Sequence, residues 1–127
     1  MNSQFLLQNY KEYNYSELQE WKGIYCLFNT INNKVYIGQS NKIRYRINQH
    51  FKSIDDLPIH RAIRKYGTIN FKIFILEIFE EENRDQLNNS EIYFINKFKS
   101  NTKELGYNLT VGGDGHKGCP MKENLKE

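Results

Sequence analysis

Apolar and polar positions alternate along the first third of the chain. Ile24, Cys26 and Phe28 interleave with Tyr25 and Leu27, and Val35 and Ile37 interleave with Tyr36 and Gly38. A period of two predicts a β-hairpin over 23–39, turning at Asn32-Asn33, because asparagine tolerates positive φ. With an even number of loop residues, odd positions face even ones, so Tyr25 and Tyr36 project from one face. The period then lengthens. Ile43, Ile47 and Phe51 recur every four residues, predicting a helix from a Ser40 or Asn41 cap to about Lys52. Pro58 opens a second helix and Gly67 ends it. Phe71 to Phe79 is apolar on both parities, which predicts a strand covered on both faces. A long helix over 83–99 carries Leu87, Phe94, Ile95 and Phe98 on its apolar face, and the chain after Gly106 reads as extended from Tyr107 to Val111.

Residues 1–22 are polar with scattered aromatics (Phe5, Tyr10, Tyr13, Tyr15, Trp21), and Ser16 is placed to cap a short turn through Gln19. The aromatics call for burial, so this segment is expected to pack as an N-terminal extension. From residue 23 the order is ββααβα. The expectation is an α/β (α+β) domain over 23–113, with a small three-stranded antiparallel sheet flanked by helices, followed by a tail over 114–127.

At 127 residues the chain is long enough for one self-sufficient core. No apolar run approaches the length of a membrane span, and no basic-then-apolar leader opens the chain. Two cysteines, Cys26 in a core strand and Cys119 in a glycine-rich tail, make neither a metal motif nor a disulfide framework. These features fit an intracellular, reducing compartment (cytoplasm or nucleus) and no membrane partner. The net charge of +3 is mild, but residues 42–72 carry eight Lys or Arg against Asp55 and Asp56. Residues 77–91 carry six acids against Arg84. Such blocks can be two solvated helix faces, or a phosphate-tracking surface beside a carboxylate site.

Helical geometry sharpens the choice. At about 100° per residue, Arg46 and His50 fall on one margin of the Ile43-Ile47-Phe51 stripe, stacked one turn apart. Arg44 lies on the other margin. An arginine there either snorkels over apolar surface or reaches into a site. Glu91 falls about 40° from Leu87, inside the apolar stripe of the long helix. A carboxylate in that position must be ion-paired, hydrogen-bonded or metal-bound. His60 and Arg61 sit off the Ile59-Ile63-Tyr66 stripe, as phosphate-side or ordinary surface groups. Asn108 follows Gly106 as a turn residue.

Taken together, Gly23-Ile24-Tyr25, Tyr36-Ile37-Gly38, Arg46, Glu91 and the closing Gly106-Tyr107-Asn108 resemble the GIY-YIG nuclease family. The His50-Phe51 pair resembles its homing-endonuclease branch. The resemblance implies metal-dependent hydrolysis of phosphodiester bonds in double-stranded DNA, with Mg²⁺ or Mn²⁺ as the metal and no small-molecule cofactor. It implies catalytic roles for Tyr25, Tyr36, Arg46, His50, Glu91 and Asn108, with Glu91 as the metal ligand. Arg46 would grip the phosphate, and Tyr25 would act as the base beside Tyr36, although the two tyrosines could exchange roles. A phenol working near neutrality needs its pKa lowered by about 3 units. Lys42, Arg44, His60, Arg61, Arg64 and Lys65 are the expected DNA contacts. Two other readings remain open: a catalytically silent nucleic-acid-binding module, and a structure-directed repair nuclease with the same fold. The tail from Gly112 to Gly118 resembles the start of a further DNA-binding motif.

Overall fold

A computed structural model describes residues 2–81 and 83–113; the tail expected over 114–127 lies outside the described residues. The chain forms α1 (Ser3–Leu7), β1 (Lys11–Tyr13), a 3-10 turn (Tyr15–Glu17), β2 (Lys22–Asn29), β3 (Val35–Ser40), α2 (Ile43–Lys52) and α3 (Pro58–Tyr66). A second 3-10 turn (Thr68–Asn70), β4 (Phe71–Phe79) and α4 (Arg84–Phe98) follow. The strands make one antiparallel sheet in the order β1-β4-β2-β3.

The sheet therefore has four strands among the described residues, where the sequence pattern predicts three. The addition comes from the N-terminal extension: Lys11, Glu12 and Tyr13 pair with Ile75, Phe74 and Ile73. Three residues, two of them charged, carry too little periodicity to register as a strand. The pairing is supported by β4, whose edge would otherwise lie bare, and by an ion pair of 3.5 Å between Lys72 and Glu12. Conversely, 107–111 forms no strand, and only a single parallel bridge joins Gly106 to Val35.

Each face of the sheet carries its own core. Ile24, Cys26, Phe28, Val35, Ile37, Phe74 and Leu76 pack against Leu87, Phe94, Ile95 and Phe98 of α4, with Leu6, Leu7 and Tyr10 beside them. On the opposite face, Tyr25, Leu27, Ile73 and Ile75 meet Ile43 and Ile47 of α2 and Ile59 and Ile63 of α3. Tyr13, Tyr15, Leu18 and Trp21 close this second core. The extension thus contributes to both cores, which is where its aromatics find their burial.

Helix ends follow from local chemistry. Pro58 sits in the first turn of α3, and Gly67 ends it at φ 86°, donating its N–H to the Ile63 carbonyl. The Asn83 side chain accepts from Gln86 N at 3.0 Å and caps α4. The first turn of α2 starts two residues later than a Ser40 cap implies and one later than an Asn41 cap, with Lys42 at the N-cap. Its amides are satisfied by the extension instead, Ile43 N by the Trp21 carbonyl and Tyr45 N by the Glu20 carboxylate.

Candidate active site

The β2–β3 register pairs Tyr25 with Gly38 and Leu27 with Tyr36. Both tyrosines consequently face α2 and α3, with ring centroids 6.4 Å apart. They are diagonal neighbours, and the gap between them exists because residue 38 has no side chain. A Cβ built there would lie 2.4 Å from the Tyr25 phenol oxygen. Gly23 has a similar constraint, since its Cβ would lie 2.0 Å from the Glu77 carbonyl oxygen. There the β2–β4 register shifts between Ile24 and Tyr25, leaving Leu76 as an extra residue on β4. The two glycines of the paired tripeptides thus permit close approaches that any side chain would block.

From Tyr25 a row of hydrogen bonds leads across α2 and α3. The Tyr25 hydroxyl lies 2.6 Å from His50 Nε2. His50 Nδ1 lies 2.7 Å from His60 Nε2, and His60 Nδ1 lies 2.6 Å from Asp55 Oδ1. His50 occupies the helix margin expected of it. His60 does not: it is 4% exposed, inside the protein, and not a surface group facing phosphates. The α3 apolar stripe is wider than Ile59-Ile63-Tyr66 because α2 packs beside it, and His60 fills that contact. Asp55 escaped the sequence reading. The available signal was a carboxylate in the turn before a helix whose third residue is histidine.

Arg46, half-buried on α2, donates to Gln49 Oε1 at 3.1 Å, and its charge and hydrogen bonding pull both tyrosine pKa values down. Burial is stronger. It pushes Tyr36 up to about 12 and Tyr25 well above the usual phenol range, with Tyr36 and Glu91 adding to the Tyr25 shift. The expected lowering is therefore reversed in sign, and neither phenol is ionised near neutral pH. His50 is likewise neutral, lowered to about 3 by burial and then by Arg46 and His60, while Asp55 acts in the opposite direction.

Glu91 enters from the other face, on α4, and is 5% exposed. Its Oε1 accepts from Gln39 Nε2 at 3.0 Å and from the Gly113 amide at 2.7 Å. Gln39 also donates to Asn88 Oδ1 at 2.6 Å. Glu91 and the tyrosines meet around β3, the edge strand, where the charge of Glu91 acts on both phenols. Asn108 stands on the outer side of the same strand. Its Oδ1 accepts from Ile37 N at 2.9 Å and its Nδ2 donates to the Ile37 carbonyl at 2.8 Å. That amide completes the strand between the two signature residues Tyr36 and Gly38. Gln39 was also missed by sequence reasoning, although it directly follows the second tripeptide.

Among the described residues no three His, Cys, Asp or Glu side chains converge as a metal cage. Glu91 fits only the mode in which one carboxylate holds a hard divalent ion and water and phosphate oxygens complete the shell. Of the basic residues expected to contact DNA, Lys42, Arg44, Arg61, Arg64 and Lys65 are exposed. Arg44 stacks over Tyr15 at 5.3 Å. Arg64 is engaged at home, donating to the Ser53 and Asp55 carbonyls at 2.9 and 2.7 Å. No helix among the described residues is long and apolar enough to cross a membrane.

Comparison with known proteins places this arrangement in context. Residues 21–104 match the model of the GIY-YIG catalytic domain. Intron-associated endonuclease 1 of Enterobacteria phage T4 is 33% identical over 110 residues, covering 81% of this chain and 43% of that protein. Probable intron-encoded endonuclease 1 of Neurospora crassa is 31% identical over 107 residues, covering 73% of this chain and 35% of that protein. The chain thus spans less than half the length of either relative. Among solved structures, a mutant of the catalytic domain of intron endonuclease I-TevI superposes with a TM-score of 0.63 at 30% identity. That match covers 72% of this chain and 96% of that one. A second structure of the I-TevI catalytic domain gives 0.59 at 32% identity, covering 70% and 98%.

Proposed function

The chain belongs to the GIY-YIG catalytic domain family, and from that premise we propose that residues 23–113 form a metal-dependent endonuclease domain that hydrolyses phosphodiester bonds in double-stranded DNA, as part of a homing-type endonuclease. The observation that carries this reading is the convergence on one strand edge of two phenols, a guanidinium and a buried carboxylate. The charges of Arg46 and Glu91 both act on the two phenols, which supports reading the four as one site.

The Arg46 guanidinium, planar and always charged, takes the non-bridging phosphate oxygens and the charge that grows on them. Tyr25 Oη accepts a proton from the attacking water while its own passes to His50 Nε2, 2.6 Å away. The coupled transfer removes any need for a resting phenolate, which burial disfavours. Tyr36, beside Tyr25 and Arg46, steadies the water and the phosphate. Glu91 would hold Mg²⁺ or Mn²⁺, which supplies charge neutralisation at the phosphate and the leaving oxygen when bound. Gln39 orients that carboxylate by donating to Oε1. Lys42, Arg44, Arg61 and Lys65 contact the DNA backbone; His60, buried, does not.

Supercoiled plasmid incubated with the protein and Mg²⁺, against a parallel sample in EDTA, tests the reading. Metal-dependent nicking and linearisation are expected. Binding without any cleavage over a range of salt and protein concentrations would instead identify a silent DNA-binding module.

A further inference from the structure

We propose that Asp55 is a positioning residue for the reaction, fixing through His60 and His50 the direction in which the Tyr25 hydroxyl points. The inference deepens the nuclease reading and rests on it. Each link in the row can run either way when taken alone, because a neutral imidazole donates through one nitrogen and accepts through the other. The Asp55 end is different. A carboxylate has only lone pairs to offer, and Asp55, whose side chain is 54% exposed, is ionised. His60 must therefore carry its hydrogen on Nδ1, facing Asp55 Oδ1 at 2.6 Å.

The remaining directions follow in turn. With its hydrogen on Nδ1, His60 offers Nε2 as the acceptor for His50 Nδ1 at 2.7 Å. His50 Nε2 is then bare and accepts the Tyr25 hydroxyl hydrogen at 2.6 Å. The phenol lone pairs are left turned away from His50, towards Arg46 and, in the reaction, the attacking water. Reversing the row would put a hydrogen on His50 Nε2 and make Tyr25 its acceptor. The phenol hydrogen would then face the water, and Tyr25 would be a donor where the reaction needs a base. His50, which packs against the rings of Tyr25, Tyr36 and His60, and His60 itself are both buried, so water cannot reset the rings. The only exposed member is the one that sets the order. The negative charge of Asp55 also favours a proton arriving on His50.

Asp55 has a structural duty as well, accepting from Leu57 N at 3.1 Å in the turn before α3. Asp55→Asn separates the two duties, because asparagine suits that turn but carries a donor as well as an acceptor and no charge. The first measurement is the imidazole ¹⁵N–¹H spectrum of the wild-type chain, in which His50 and His60 should both carry hydrogen on Nδ1. Either ring protonated on Nε2 instead would overturn the proposal, whether or not any variant folds. In Asp55→Asn the His60 ring should become a mixture of tautomers, and single-turnover cleavage should fall by about 10- to 100-fold with DNA affinity in EDTA unchanged. Cleavage at the wild-type rate would overturn it, and so would a loss of rate with the ring order intact, which would assign the effect to charge alone. The ring spectra need no DNA. A chain that cleaves nothing would refute the nuclease reading while the spectra still decide the hydrogen-bond order.

Discussion

The phenol of Tyr25 lies over Gly38, so closely that a methyl group on residue 38 would come within 2.4 Å of the phenol oxygen. Gly38→Ala should therefore evict Tyr25 from His50. The fold should persist at an overpacking cost of about 1–3 kcal/mol, while cleavage should drop by at least about 100-fold, the scale for losing a general base. Thermal melting alongside plasmid nicking tests this. An alanine variant with full activity would mean that Tyr25 is not the base in this geometry.

Glu91→Gln keeps an acceptor for Gln39 Nε2 and the Gly113 amide and removes the charge. Metal-dependent cleavage should be lost, DNA binding should survive, and melting should change little. A buried ionic partner would behave differently, with a large fall in melting temperature and residual cleavage. Full activity in this variant would refute the metal assignment.

The two arginines of α2 should separate by function. Arg46 acts on both phenols, whereas Arg44 lies exposed over Tyr15. Arg46→Ala should cost cleavage about two orders of magnitude or more, the scale for one lost charge donor. Arg44→Ala should weaken binding and flatten its salt dependence. Cleavage rates at saturating protein and binding measured across salt resolve the two effects. Equal catalytic losses would argue against the assigned roles.

Much of this site was legible because helices and strands impose rigid periods. Two-residue alternation put Tyr25 and Tyr36 on one face, and the turn of a helix aligned Arg46 with His50 and placed Glu91 in an apolar stripe. Long-range packing was not legible. His60 looked like a surface residue because one helix considered alone does not reveal that another lies beside it. Asp55 became visible only once α3 had brought His60 within 2.6 Å of it. Lys11–Tyr13 became a strand only because β4 offered an open edge. Asn108 read only as a turn residue after Gly106, because its bond to the backbone of Ile37 joins residues 71 apart in sequence.

Stability should depend on pH at both ends. His50 titrates near 6.5 when exposed and is lowered to about 3 in the fold. Between those values the unfolded chain binds the extra proton, so stability falls as pH drops below about 6.5, by up to about 1.4 kcal/mol per pH unit. Tyr36 runs the other way. Its folded pKa is raised from 10.0 to about 12, so its contribution is complete below pH 10 and is lost as pH rises towards 12. Melting temperatures recorded from acid to alkaline pH test both signs. His50→Phe should flatten the acid limb, and an unchanged acid limb in that variant would place the responsible group elsewhere.

Asn108→Ala should destabilise the fold by about 1–3 kcal/mol, because it leaves both polar groups of Ile37 without their partner. Asn108→Asp should be no better, since a carboxylate cannot donate to the Ile37 carbonyl. Chemical denaturation measures both. A neutral alanine variant would show that water replaces the amide there.

The same amide bears on how copies of the protein behave towards one another. A sheet can grow at either margin, and an unpaired outer strand is a template for a strand from another molecule. Here one margin is β1, three residues long and partly charged. The other is β3, where Val35 is bonded to Leu105 and Tyr107 and Ile37 is held by Asn108. Residues 105–108 act as a surrogate neighbour, part backbone and part side chain. They leave no open ladder over Val35–Ile37 for a second molecule to extend, on the very strand that carries Tyr36 of the candidate site.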